Sequence, residues 1–181
     1  MTTTWIALLR GMNVGGHRIT NAELQRVFGE LGFAGVTTYR ASGNVIFDSD
    51  IDAEGLVSRV EDGLEAALGY AVPTFLRDAT ELMAVAAVRP FSEQELAGSR
   101  GKPQVTFLAK APDATSREAV LALATIEDRL VLRGRELYWL PSAGILQTDL
   151  DLRGIDRLLG TGTMRTLGTI AGIAGKLAAR E

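Results

Sequence analysis

The chain has 181 residues, 46% of them hydrophobic and 23% charged, with a formal net charge of −3. That apolar share excludes a disordered chain, and 20 Gly with 5 Pro exclude collagen-like and low-complexity classes. No cysteine and a single histidine, His17, exclude disulfides, thiolate zinc sites, Cys nucleophiles and multi-histidine metal centres.

The first element in chain order is a buried strand over Thr4–Leu9, a β-branched and apolar run closed by Gly11-Met-Asn13-Val-Gly15-Gly16. Thr20 followed by Glu23 spells a capping box, and Leu24, Val27, Phe28 and Leu31 give the ensuing helix one apolar face that Gly32 ends. Strands over Val36–Arg40 and Asn44–Asp48 are expected to join through the turn Ala41-Ser42-Gly43. Asp52 opens a second helix whose Leu56, Val60, Leu64 and Leu68 recur at every fourth position before Gly69. Pro73–Arg77 completes a β-α-β-β-α-β series, the ferredoxin-like unit.

A similar series follows. A helix over Ala79–Val88 leads into a connection marked by Pro, Gly and Ser at about residues 89–103. Gln104–Ala109 reads as a strand, and Asp113 caps a helix to about Thr125. Leu130–Arg133 and Glu136–Leu140 form a hairpin across Gly134-Arg135, with helices near Asp149–Leu159 and from Thr166 to Ala179. The expected fold class is α+β: two tandem ferredoxin-like (βαββαβ-type) units packed as one compact protein. Residues 1–78 form the half with the Gly-rich loop, 79–103 a helical connection, and 104–181 a degenerate second half with a C-terminal helix. One continuous α+β domain without duplication is the alternative. On the last helix Gly168, Ala171, Gly172, Gly175, Ala178 and Ala179 make a face nearly free of side chains, which suits close packing.

This topology predicts where the chemistry gathers. In such a unit the first and third strands are antiparallel neighbours, so the Gly11–Gly16 loop, the start of the first helix and the Ser42-Gly43-Asn44 turn meet at one end of the sheet. Arg10 and Arg40 end strands at that same rim, with Arg18 near the helix start. A glycine-rich loop running into a helix N-terminus offers amide donors and a positive dipole end to an anion. Guanidinium forks add charge-assisted hydrogen bonds. Candidate ligand-binding residues are therefore Arg10, Gly11, Asn13, Gly15, Gly16, Arg18, Arg40, Ser42, Gly43 and Asn44. The same glycines also serve simply to turn the chain. Gly11-x-x-x-x-Gly16 has P-loop spacing, but His17-Arg18 stands where Lys and Ser/Thr belong, so an NTPase is not indicated. Asp48-Ser-Asp50-Ile-Asp52 opens like a calcium loop, yet its sixth and twelfth positions are Ala53 and Arg59, and no metal site is expected.

Trp5-Ile-Ala-Leu-Leu-Arg10-Gly11-Met-Asn13-Val-Gly15-Gly16, then Glu23-Leu24, Leu31-Gly32-Phe33, Tyr39, Ser42-Gly43-Asn44-Val45 and Phe47 resemble a bacterial family, the domain of unknown function 1697. Thr163-Met164-Arg165-Thr166-x-x-Thr169 looks like that family's closing Thr-x-Arg-Asn-Trp-x-Thr element, with Thr166-Leu167 in place of the Asn-Trp pair. The resemblance implies paired ferredoxin-like units and no established activity. It adds Thr163 and Arg165 to the candidates, both expected just ahead of the last helix.

The functional expectation is a small-ligand or phosphate/anion-binding protein, with an enzyme of unknown reaction left open. The partner would be a small anionic or phosphorylated molecule; no cofactor and no general acid or base can be named. One alternative is a nucleic-acid module of RNA-recognition-like topology, which would need Trp5 and Phe47 on an open sheet face. The acidic balance argues against it. The other alternative is a structural or interaction protein without a ligand. No run approaches the roughly 20 apolar residues of a membrane span, and Met1-Thr-Thr-Thr-Trp5 lacks the basic region of a secretion signal, so the cytoplasm is the expected compartment.

Overall fold

The computed structural model describes residues 1–12, 18–40 and 43–180, which divide into two units. One is Met1–Met83 with Lys176–Glu181; the other is Ala84–Gly175.

The first unit runs β1 (Thr3–Leu9), α1 (Asn21–Glu30), β2 (Ala34–Thr38), β3 (Asn44–Ser49), α2 (Ala53–Leu68) and β4 (Thr74–Asp78), with α3 (Ala79–Ala87) following at once. Its sheet order is β2-β3-β1-β4, and all neighbours are antiparallel. Side chains alternate across the sheet. Ala7, Leu9, Val45, Phe47 and Leu76 meet Leu24, Val27 and Phe28 of α1 and Leu56, Val60 and Leu64 of α2. Ile6, Leu8, Ile46 and Arg77 point the other way and are buried too. Burial on both faces explains why β1 reads as a continuous apolar run rather than an alternating one.

The expected caps are in place. Thr20 and Glu23 form a reciprocal capping box on α1, Asp52 accepts the Gly55 amide, and Gly69 closes α2 in the left-handed region at φ 79°. One boundary moved: β2 lies two residues earlier than its apolar pattern suggests. Its register shifts between Ala34 and Thr37, where Gly35 turns at φ 58°, and the strand is finished before Arg40.

The second unit holds α4 (Glu93–Gly98), β5 (Gln104–Leu108), α5 (Ala114–Leu121), β6 (Arg129–Arg133), β7 (Glu136–Leu140), α6 (Leu152–Leu159), β8 (Gly162–Thr166) and the start of α7 (Leu167–Ala178). Its sheet order is β6-β7-β5-β8, again antiparallel throughout. Leu108, Leu132, Leu137 and Trp139 pack with Val120 of α5 and Ile155 of α6. β8, which the sequence pattern does not mark as a strand, stands just ahead of the last helix, and α4 lies within the helical connection expected over 79–103. α5 ends at Leu121 because Thr125 Oγ1 accepts the Glu127 and Asp128 amides at 3.2 and 2.8 Å, forming a turn where the helix would have continued.

The described residues thus form a mixed α+β protein with two four-stranded antiparallel sheets and seven α-helices. None of these helices is long and apolar enough to cross a membrane. In α7 the buried face is Ile170, Ile173, Ala174 and Leu177. Gly168, Ala171, Gly175 and Ala178 are exposed, so these four small residues do not mark its packed face.

Candidate functional site

One end of the first sheet gathers several of the candidates. β1 finishes there, with the Leu9 amide donating to Gly43 O at 2.8 Å and the Arg10 amide to Pro73 O at 2.9 Å. Asn44 opens β3 opposite Leu8, fully buried; its Nδ2 donates to Tyr39 O at 2.9 Å while Tyr39 N donates to Asn44 O at 3.0 Å. This reciprocal pair anchors Arg40, which leaves β2 with its guanidinium 5.6 Å from the Tyr39 ring centroid. Arg10, Gly11, Arg40, Gly43 and Asn44 therefore share one rim. Asn13, Gly15, Gly16, His17 and Ser42 lie outside the described residues.

The backbone of this rim is left-handed at three places: Gly11 (φ 74°), Gly43 (φ 68°) and Arg40 (φ 58°). Glycine adopts that region freely, whereas for an arginine it costs on the order of 1 kcal/mol. Arg40 is the only non-glycine residue with positive φ among those described. Gly43 has a second constraint, since an added Cβ would sit 2.7 Å from Met12 Cγ and 3.0 Å from Leu9 Cβ.

The first turn of α1 lies beside the same rim, as shown by the bond from Gln25 Nε2 to Thr38 Oγ1 at 3.2 Å. It carries its own negative charge. The Thr20 amide and hydroxyl both donate to Glu23 Oε2, at 2.7 and 2.8 Å, and the Glu23 amide returns to Thr20 Oγ1 at 3.1 Å. The Thr20 amide and then its hydroxyl hold the Glu23 carboxyl below its usual range. The Glu23 carboxylate therefore sits at the helix start and takes up the Thr20 amide. Arg18 is exposed two residues ahead of this cap.

Sequence reasoning missed a further cation. Lys176 comes from the last helix, 138 residues from its partner, and its Nζ donates to Thr38 O at 2.8 Å. No local pattern links these two positions. The pairing exists because the chain's closing residues belong to the first unit.

Thr163 and Arg165 lie in β8, in the second unit, on the strand that runs directly into α7. Arg165 Nη1 donates to Thr163 Oγ1 and to Met164 O, both at 2.8 Å, and burial lowers the guanidinium pKa to about 10. The group therefore keeps its charge at neutral pH. In the first sheet, Trp5 and Phe47 do not lie on an open face. Phe47 is fully buried on the helix-covered face, 5.3 Å from Phe28 and 4.6 Å from Phe33 between ring centroids, and Trp5 packs on the same cluster.

A family model described as Protein of unknown function (DUF1697) matches residues 1–138. The chain belongs to that family. The DUF1697 match takes in every first-unit candidate of the rim up to Asn44 and ends before Thr163 and Arg165. Among solved structures, conserved bacterial protein SP0830 from Streptococcus pneumoniae is 18% identical, with 98% of this chain and 99% of that one covered and a TM-score of 0.73. At that identity the likeness shows the fold alone. A second structure, TA0507, provisionally named a chlorite dismutase, is 12% identical over 96% of this chain and 99% of that one. Its TM-score of 0.27 carries no argument about this DUF1697 chain. No curated protein matches the sequence.

Proposed function

We propose that the rim at the end of β1 binds a small anion, with phosphorylated metabolites as the ligand class. The observation that carries this reading is Arg40, an exposed arginine held in the left-handed region between Gly11 and Gly43. Strained backbone persists where the surroundings over-determine it, and the reciprocal Asn44–Tyr39 pair, with Asn44 buried, supports that here. Arg10 and Arg40 supply forked donors, and Lys176 adds positive charge at Thr38 O. If the protein is an enzyme, these groups suit electrostatic stabilisation of a developing negative charge. No rim residue is assigned as a general base, so the reading is one of binding.

We also propose that each unit is ferredoxin-like and that the two arose by tandem duplication. Supporting this are the common strand order and a repeated bond. Leu9 N donates to Gly43 O in one unit, and Leu108 N donates to Arg135 O at 2.9 Å in the matching place of the other.

The test uses Arg40→Gly, which removes the guanidinium and relieves the backbone. This variant is expected to melt at the same temperature as the parent chain or somewhat higher, because glycine accepts φ 58° without strain. In a thermal-shift panel of inorganic phosphate, pyrophosphate, nucleotides and oligonucleotides, the small phosphorylated members should raise the melting temperature of the parent chain and not that of Arg40→Gly. An equal response in both proteins, or none in the parent, would overturn the proposal.

A further inference from the structure

The second unit contains a polar hollow of about 780 Å³, within the size range of small-molecule sites. Three segments build it: α4 with Ser99 and Arg100 after it, the turn Ile126–Arg129, and the end of β7 through Ser142. Its walls are fixed by internal bonds. Ser92 and Glu95 form a capping box, Ser99 Oγ donates to Pro141 O, Arg100 N donates to Ser142 O at 3.0 Å, and Thr125 holds the turn. Gly101 is required, since a Cβ there would collide with the carbonyls of Ala143 and Pro141.

The charges that line this hollow are unevenly used. Arg129 pairs with Glu95 at 3.3 Å. The side chains of Arg100 and Glu127 line the same space, carry opposite charge, and form no ion pair with each other or with any other described residue. Ser142 and Gln94 offer further polar groups, while Ile126 (92% exposed) and Leu140 supply an apolar wall. A purely anionic ligand at Arg100 would also face Glu127, and a purely cationic ligand at Glu127 would face Arg100. A zwitterion satisfies both.

We propose that this hollow is a second ligand site, for a short peptide whose carboxylate pairs with Arg100 and whose ammonium pairs with Glu127. An apolar side chain of the peptide would lie on Ile126 and Leu140. The site is independent of the anion-binding rim and stands or falls apart from it.

Glycyl-leucine is the probe, titrated into the full chain and followed through backbone amide shifts by NMR. Saturable shifts at Arg100, Glu127 and Ser142 are expected. Arg100→Ala and, separately, Glu127→Gln should each weaken binding about tenfold. N-acetyl-glycyl-leucine and glycyl-leucine amide, each lacking one charge, should also bind about tenfold more weakly to the parent chain. Both substituted side chains are exposed and bonded to no described residue, so the melting temperatures should stay unchanged, and the rim variant Arg40→Gly should bind the probe as the parent does. No saturable shift by about 10 mM probe, equal binding of the singly charged analogues, or shifts confined to the first unit would overturn the proposal.

Discussion

Arg77 and Arg165 occupy the same register position in the last strands of the two units. Arg77 of β4 lies opposite Ile6 of β1, and Arg165 of β8 lies opposite Val105 of β5. Each guanidinium donates to the carbonyl of the preceding residue, Leu76 at 2.7 Å and Met164 at 2.8 Å. Each is followed at once by a helix-capping residue. Asp78 Oδ1 accepts the Glu81 amide at 2.7 Å, and Thr166 Oγ1 accepts the Thr169 amide at 3.1 Å. A strand, an inward arginine, a cap and a helix thus recur as one module.

The two arginines differ in depth, which sets their expected costs on removal. Arg77 is 1% exposed, so truncation leaves a void and removes the bond to Leu76 O. Arg77→Ala should destabilise by about 3 kcal/mol, and Arg165→Ala, at a half-buried position, by about 1 to 2 kcal/mol. Urea unfolding of the two variants measures this directly. Equal or negligible losses would show that depth does not govern the contribution.

Two rim glycines separate backbone freedom from crowding. Gly11 and Gly43 both have positive φ, but an added Cβ meets nothing within 4 Å at Gly11 and meets Met12 and Leu9 at Gly43. Gly11→Ala should therefore cost about 1 kcal/mol from conformation alone. Gly43→Ala should cost about 2 kcal/mol or more, because the bond from Leu9 N to Gly43 O must shift as well. Matched melting curves decide the point, and indistinguishable losses would remove crowding as a factor.

The elements with local signals were legible in the sequence. Thr20–Glu23, Asp52–Gly69 and the fourfold leucine spacing of α2 needed only near neighbours to define them. The missing elements depended on partners far away in the chain. β8 is short, with Gly162 and Arg165 leaving it no apolar run, and it pairs with β5 from Gln104 to Leu108. The left-handed turn at Arg40 follows from the Asn44–Tyr39 pair, which no residue pattern around Arg40 announces. A signal for Arg77 was present but unread: Phe75-Leu-Arg77-Asp78 mirrors Thr163-Met-Arg165-Thr166, and aligning the two halves on their final strands would have exposed it.

Three helices are capped by acids whose protonation weakens the cap. Glu23 is held below its usual range by the Thr20 amide and hydroxyl, Glu95 by those of Ser92, and Asp113 by those of Ser116. A carboxyl with a folded pKa below its unfolded value stabilises fully above the unfolded value. That stabilisation fades as the pH falls through the folded value. α1, α4 and α5 should therefore loosen together on acidification below the ordinary carboxylate range. Far-UV circular dichroism from about pH 6 to about pH 3 should show a smaller loss for the triple variant Glu23→Gln, Glu95→Gln and Asp113→Asn than for the parent chain. An identical acid profile would assign the transition to other carboxylates.

Asp128 and Trp139 form a hydrogen bond in the second core, with Nε1 donating to Oδ1 at 2.8 Å and both residues 2% exposed. Trp139 packs with Leu108, Leu137 and Ile155, so its indole N–H has no route to water. Asp128 sits in the turn that Thr125 closes, which brings the acceptor to the ring. Asp128→Asn keeps an acceptor of the same shape and should cost about 1 kcal/mol, whereas Asp128→Ala strands the indole donor and should cost about 2 to 3 kcal/mol. Trp139→Phe removes donor and need together. In that background Asp128→Asn should have little further effect, because a neutral amide has lost only the partner that Trp139 supplied. A double-mutant cycle in urea reads the coupling between the two positions, expected at about 1 kcal/mol or more. Strict additivity would mean that ring packing alone, without the hydrogen bond, fixes Trp139.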